Sequence, residues 1–286
     1  MMNAQETDIM NAKYRIGEVL SEGKTKTIYA IKGHENLAIL VAKNDLTAGN
    51  GAKHDVLPGK AILANETACN VFKLLARELV PVAFEVQDSN TSFVAFLCQM
   101  LPYEVVIRRE AHGSYLKRNP ESRGYIFPDL LLEFFLKTKD RKWKEHPLPC
   151  DDPLMIIDQS ASVLRLYNPD LPMFGQEPFL VLPESEVFTF PDEREMFPLM
   201  SDIAKQAFAI LETAWEKQGG RLVDFKVEFG ISPGGRLLLA DVIDADSWRV
   251  LDENDKPLSK QGYRDGADLD AVLATYQLVA ELTSRF

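Results

Sequence analysis

Asp224-Phe225-Lys226-Val227-Glu228 alternates ionisable and apolar residues with the period of a strand, so Asp224, Lys226 and Glu228 share one face while the other is buried. Thirteen residues beyond Glu228, Asp241 closes the apolar run Leu237–Ala240. A hairpin through the Ser232–Gly235 turn would bring Glu228 and Asp241 together. Two carboxylates so placed make a hard-oxygen site suited to Mg²⁺ carrying nucleotide phosphates. A solvated, charged strand face explains the same alternation. Against it stand the apolar residues before Asp241 and the mixed charges of Asp244, Asp246 and Arg249 just after it.

Two further segments carry candidate chemistry. Gly23-Lys24-Thr25-Lys26 sits at a hairpin-like position, where glycine lets backbone N–H groups approach phosphate oxygens and lysines add point charges. It is neither a Walker A loop nor a kinase glycine loop, and an exposed hairpin with two lysines fits equally. Arg108-Arg109-Glu110-Ala111-His112-Gly113-Ser114 sets a guanidinium and a hydroxyl around a glycine turn, the equipment for bidentate capture of an anion. The alternative is a strand-end turn with surface arginines, and His112 alone is more often structural than catalytic.

The elements that must hold these groups follow from periodicity. Lys13–Ile16, Thr25–Ile31 and Leu37–Val41 predict an antiparallel meander. Gly59–Leu79 has helical spacing and stops before Pro81; Phe84–Val86, Ser92–Met100 and Glu104–Arg108 predict three strands. Between Asn119 and Pro198 only Leu130–Leu136 and Pro153–Leu166 stand out. Met196–Gln218 predicts a helix stopped by Gly219-Gly220, then come strands Leu222–Phe229 and Arg236–Ile243 and a closing helix, Ala267–Leu282.

Composition narrows the function classes. The 286 residues suffice for one two-lobed unit with a substantial core, and 46% hydrophobic residues argue against extended disorder. A net charge of −11 argues against a nucleic-acid binder, which needs clustered cations to release counterions from a polyphosphate. The separated Cys69, Cys98 and Cys150 suggest neither a disulfide framework nor a zinc site. The N-terminus has no apolar signal core and no stretch is long enough to span a bilayer, so a cytoplasmic setting without membrane partners is expected.

Taken in order, these segments resemble the phosphoribosylaminoimidazole-succinocarboxamide synthase (SAICAR synthetase) family. The resemblance spans most of the chain. It rests on Gly23–Tyr29, Asn44–Ala52, Met100–Arg108 leading to Gly113-Ser114, Phe135–Lys137, Asp152-Pro153, Asp224–Gly230 and Asp241–Arg249.

The resemblance implies an α+β fold of two lobes, with residues 1–102 as a strand-rich ATP-binding lobe and residues 103–286 as the catalytic and substrate-binding lobe. It implies a ligase of purine biosynthesis that joins carboxyaminoimidazole ribonucleotide to L-aspartate through an acyl phosphate, using ATP and Mg²⁺. In that setting Gly23, Lys24 and Lys26 face ATP phosphates, Met100 faces adenine, and Glu228 with Asp241 hold Mg²⁺. Arg108, Ser114 and Arg249 bind the ribonucleotide phosphate. Lys226 sits near the reacting carboxylate, Asp224 and Asp246 orient substrate amino groups or neighbouring cations, and Lys137 and Asp152 form a substrate-side patch. Asn50 and Val242 stand where the family usually carries acids, and Trp248 replaces a small residue beside Arg249. A related small-molecule kinase and a noncatalytic nucleotide-binding homologue are the rival readings, and oligomeric state, homo-oligomer included, stays open.

Overall fold

The computed structural model describes residues 14–48, 53–158, 160–190 and 192–286. Asn50, with the rest of the glycine-rich segment 49–52, lies outside them.

The first sheet is antiparallel, in the order β1-β2-β3-β7-β6, built from β1 (Ile16–Glu22), β2 (Lys26–Ile31), β3 (His34–Ala42), β6 (Phe84–Gln87) and β7 (Ser92–Phe96). A small ribbon, β4 (Asp45–Ala48) with β5 (Lys53–Val56), and helix α1 (Lys60–Arg77) connect β3 to β6. Strand alternation divides its faces. Ile28, Leu40 and Phe93 join the main core with Phe72 of α1, whereas Ile31, Ile39 and Val94 form a separate outer cluster. Gly59, at φ 91, makes the turn into α1 in a backbone region that side chains avoid.

The second sheet contains β8 (Gln99–Glu110), β9 (Ile126–Leu136), β12 (Leu154–Asp158), β13 (Val163–Tyr167), β14 (Leu180–Pro183), β15 (Arg221–Ile231), β16 (Leu237–Leu239) and β17 (Trp248–Leu251). Its order is β14-β13-β12-β9-β8-β15-β16, with β17 on the β16 side of β15. Between β9 and β12 lies the ribbon β10 (Lys142–Trp143) and β11 (His146–Pro147). The helices are α2 (Tyr115–Arg118), α3 (Glu184–Val187), α4 (Glu193–Glu216), α5 (Gln261–Arg264) and α6 (Leu269–Thr283). Met200, Phe208, Leu211 and Trp215 of α4 cover one face of this sheet in the main core, with Phe225, Val227 and Ile107. Among the described residues no helix is long and apolar enough to cross a membrane.

Three boundaries differ from the sequence reading, each for a physical reason. The strand expected through Met100 ends at Phe96, and Gln99 begins β8, because the chain changes sheets there: Leu97 N donates to Asn36 O, while Gln99 pairs with Ile231. The segment Pro153–Leu166 is a hairpin of two strands. Asp158 Oδ1 accepts from Ser160 N, Ser160 Oγ and Ala161 N, and this side-chain turn breaks an otherwise apolar run. The strand expected over Arg236–Ile243 keeps only Leu237–Leu239. Residues 240–247 leave the ladder and β15 regains a partner at β17.

Candidate functional site

That departure makes the site. Ala240 N still donates to Glu228 O and Lys226 N to Ser247 O, so the 240–247 segment is pinned at both ends beside the Lys226–Glu228 stretch of β15. Asp241, Asp244 and Asp246 arch between the pins. Two connected cavities open there. The larger, about 740 Å³, lies over the sheet face bearing Glu104, Arg108, Asp224 and Lys226 and reaches Ser114, Asp152 and Arg249. The smaller, about 230 Å³, lies under Lys24 and Lys26 and reaches Lys60, Asp241 and Asp244. They share Lys24, Thr47, Lys226, Asp246, Ser247 and Lys260.

Register fixes the floor of the larger cavity. Asp224 pairs with Arg108 across β15 and β8, so the two side chains emerge together, and Arg108 Nη1 donates to Asp224 Oδ2 at 2.7 Å. Buried Arg108 also donates through Nε to Glu133 at 2.9 Å and lies 3.5 Å from Ser114 Oγ. Arg249 bonds the same Asp224 oxygen, and buried Arg118 bonds Glu133 and the Ser114 carbonyl. The Arg249 guanidinium lies against Gly113, where a Cβ would sit 2.2 Å from its Nη2. The face is therefore a lattice of buried, paired guanidiniums. This geometry suits a phosphate better than a lone surface arginine does.

From Lys226, at the junction of the cavities, runs a chain of alternating charge whose Lys137 and Glu228 lie behind the cavity walls. Lys226 donates to Glu104 at 2.6 Å and lies 3.6 Å from Glu228; Lys137 bonds Glu228 and Lys26 bonds Asp241. Burial would lower the Lys226 pKa, but Glu104 and Glu228 outweigh it and raise it, so the ammonium stays charged. For Asp241 burial raises the pKa, yet Lys26, with Lys137 and Lys226, holds it below the usual carboxylate range. Burial, reinforced by Asp241, pushes Glu228 up. That coupling puts the two carboxylates within electrostatic reach of one another.

Among the described residues no cluster of three or more His, Cys, Asp or Glu side chains forms a metal cage. The Glu228–Asp241 pair fits the other mode of magnesium binding, in which one or two carboxylates act with substrate phosphates and water. Lysines neutralise both carboxylates here, so the pair can exchange ammonium partners for a metal without acquiring bare charge.

Most of the expected residues converge. Lys24 lines both cavities behind a turn in which Gly23 N donates to Lys26 O at 2.9 Å. Asp152 lines the larger cavity and accepts Thr138 N at 2.8 Å, and burial raises its pKa. Asp246 is held by Lys60, Lys260 and Tyr276. Lys137 lies on Glu228, and Met100 is a half-exposed residue of β8 beside Gly230, outside both cavities. Sequence reasoning missed Glu104, Arg118, Glu133, Lys60, Lys260 and Arg264. Only Glu133 had a signal, as one charge inside Leu-Leu-Leu-Glu-Phe-Phe-Leu. Arg264 lines the larger cavity; burial and then Arg249 lower its pKa, the mark of two cations sharing a pocket.

A sequence model of SAICAR synthetase matches residues 19–153 and 182–281, so it covers the first sheet, the second sheet apart from β12 and β13, and the whole charge chain. The chain belongs to the SAICAR synthetase family. Membership makes it an enzyme of purine biosynthesis. Among the relatives of this SAICAR synthetase chain, a phosphoribosylaminoimidazole-succinocarboxamide synthase of Chloroflexus aurantiacus is 40% identical over 278 residues, covering 95% of this chain and 98% of that protein. A probable multifunctional protein ADE2 of Caenorhabditis elegans is 38% identical over 94% of this chain, which spans 59% of that longer protein. A solved SAICAR synthetase in complex with ADP superposes with a TM-score of 0.73 at 27% identity, covering 93% of this chain and 97% of that one. The mixed α+β fold with antiparallel sheets is the fold of those structures.

Proposed function

We propose that the chain joins an imidazole ribonucleotide carboxylate, carboxyaminoimidazole ribonucleotide, to L-aspartate with cleavage of ATP. The observation that carries this reading is Lys226, which lines both cavities 3.6 Å from Glu228, where an arginine-bearing cavity of nucleotide size meets the smaller cavity with its lysine-rich turn and Asp241. A carboxylate is a poor acyl donor because oxide would have to leave. If one of its oxygens attacks the γ-phosphorus, ADP departs and an acyl phosphate forms; the amine then attacks the carbonyl carbon, and phosphate leaves with the C–O electron pair as the nitrogen loses a proton.

Each side chain has work in that sequence. Arg108, Ser114 and Arg249 would bind the ribonucleotide phosphate, with Asp224 and Glu133 holding the guanidiniums in place. Lys226 remains a cation beside the reacting carboxylate and offsets charge on it. Lys24, Lys26 and Lys137 would meet phosphate oxygens of ATP, a role supported by the ADP bound to the solved relative. Mg²⁺ bound by Glu228 and Asp241 would neutralise phosphate charge during transfer. The five-stranded unit would serve as the nucleotide lobe and the eight-stranded unit as the substrate lobe.

The test is ADP release measured with each substrate omitted in turn. Release that needs both aspartate and the ribonucleotide carboxylate is expected. Equal release without aspartate would overturn the ligase reading in favour of a kinase or simple ATPase, and nucleotide binding with no turnover would favour a noncatalytic homologue.

A further inference from the structure

Residues 154–181 lie between the two stretches that the family's sequence model matches, and they carry β12, β13 and a loop that returns to the mouth of the larger cavity. Gln176 ties that loop to itself. Its Oε1 accepts Asn168 N at 2.8 Å, and its Nε2 donates to the carbonyls of Asn168, Leu171 and Pro172 at 3.3, 3.2 and 3.1 Å. Buried Arg118 then straps the loop to the substrate site: its Nη1 donates to Ser114 O at 3.2 Å and to Pro169 O at 3.3 Å, and its carbonyl accepts Met173 N at 2.8 Å. Asp170 follows Pro169 and so stands beside the Ser114 turn, where it accepts a hydrogen bond from Lys117 Nζ at 2.7 Å. Both Asp170 and Lys117 line the larger cavity.

Charge in this cavity is layered. Arg108, at 2% exposure, holds the floor with Arg249 and Arg264, whereas Lys117 and Asp170, with side chains 58% and 60% exposed, stand at the rim. Asp151 joins them there. Burial, then Asp170 and Asp151, push the Cys150 thiol up to about 11, so both carboxylates approach one sulfur and the rim is acidic. We infer that Asp170 sets which ribonucleotides the cavity accepts: held over Lys117 on the strap, its carboxylate turns away those with more than one phosphate. The inference rests on the reading of the larger cavity as the ribonucleotide site and deepens it. A ribonucleotide whose base end lies at Lys226 puts its first phosphate on Arg108, Ser114 and Arg249. A second phosphate would extend past Ser114 to Lys117, one turn further on, and meet a lysine already neutralised and a carboxylate that repels it. The floor arginines alone would favour the more highly charged anion, so rejection has to come from a repulsive element. It has a use, because the reading places a nucleoside triphosphate in the adjoining cavity.

The test is inhibition by uridine monophosphate and uridine diphosphate, measured against the ribonucleotide at saturating ATP and fixed free Mg²⁺, in the unaltered chain, Asp170→Asn and Asp170→Glu. A carboxylate a few ångströms from a second phosphate costs on the order of tenfold in affinity near a protein surface. In Asp170→Asn the diphosphate should therefore gain about tenfold in potency, in competition with the ribonucleotide, while the monophosphate shifts by no more than about twofold. Asp170→Glu keeps the charge and should behave as the unaltered chain, and added salt should shrink the gain. Melting should not move, since an exposed ion pair adds little stability. A diphosphate that already outcompetes the monophosphate in the unaltered chain would overturn the inference while the ligase reading stands. So would one that gains no more than the monophosphate in Asp170→Asn, or whose gain competes with ATP instead. Failure of the ligase reading shows separately, as ADP release from the unaltered chain that does not need aspartate.

Discussion

Glu228→Gln and Asp241→Asn change charge at nearly constant volume, so they separate electrostatics from packing. Each leaves its lysine partner, Lys137 or Lys26, without a counter-charge and takes one hard oxygen from the magnesium pair. Turnover should fall by about a hundredfold or more at saturating Mg²⁺, with melting little changed; wild-type rates would refute the assignment. Arg108→Lys tests the lattice beneath the ribonucleotide. Three partners use the planar fork of Arg108, and an ammonium cannot reach Glu133, Asp224 and Ser114 together. The ribonucleotide Michaelis constant should rise about tenfold or more and that of ATP should not, as initial rates with each substrate varied would report. At this scale the sequence was informative where chemistry was local. Alternation on β15 exposed Asp224, Lys226 and Glu228, but Lys60 draws its meaning from Asp246, 186 residues away, and Arg118 and Lys260 from partners on other elements, which no local pattern encodes.

Elements set how closely the two halves of the site approach, and Gly230 shows the tolerance. It sits where β15 passes the start of β8, and a Cβ there would lie 2.7 Å from Cys98 Cβ and 3.2 Å from Gln99 O. Neither neighbour is the free end of a flexible chain. Gly230→Ala should therefore push the strands apart and destabilise by roughly 1–3 kcal/mol, visible as a lower denaturation midpoint. An unchanged midpoint would mean the β8 entry is looser than its hydrogen bonds imply. Most elements were legible because their patterns were long: α1, α4, α6 and the second and third strands of the meander lie within a few residues of their expected limits, whereas the first, expected over Lys13–Ile16, runs over Ile16–Glu22. What escaped was set by tertiary pairing. Residues 240–243 read as strand because Leu237–Ile243 is almost uniformly apolar, yet β15 is shared between β16 and β17 and the chain between them has to swing clear.

For the molecule as a whole, burying that arch should appear in its stability against pH. Asp244 titrates near about 6 in the folded chain against 3.8 for an ordinary aspartate, first from burial and then from Asp246, with Lys60 and Lys26 pulling the other way. A raised carboxyl favours the folded state fully only below its unfolded pKa, and that contribution is lost as pH rises through 6. Asp246 has the opposite sign. Burial is outweighed there by Lys60, Lys260 and Tyr276, which hold it at about 2, so its contribution is lost only in strong acid and leaves the neutral range undisturbed. Glu228, raised mainly by burial, adds a drift of the same sign as Asp244, so the comparison must be made between chains differing only at residue 244. Asp244→Asn removes the destabilising charge, and its melting temperature should exceed that of the unaltered chain at pH 8 by a few degrees. The gap should narrow as pH falls from 7 to 5 and the native aspartate takes up its proton. A gap independent of pH over that range would mean that Asp244 does not titrate there.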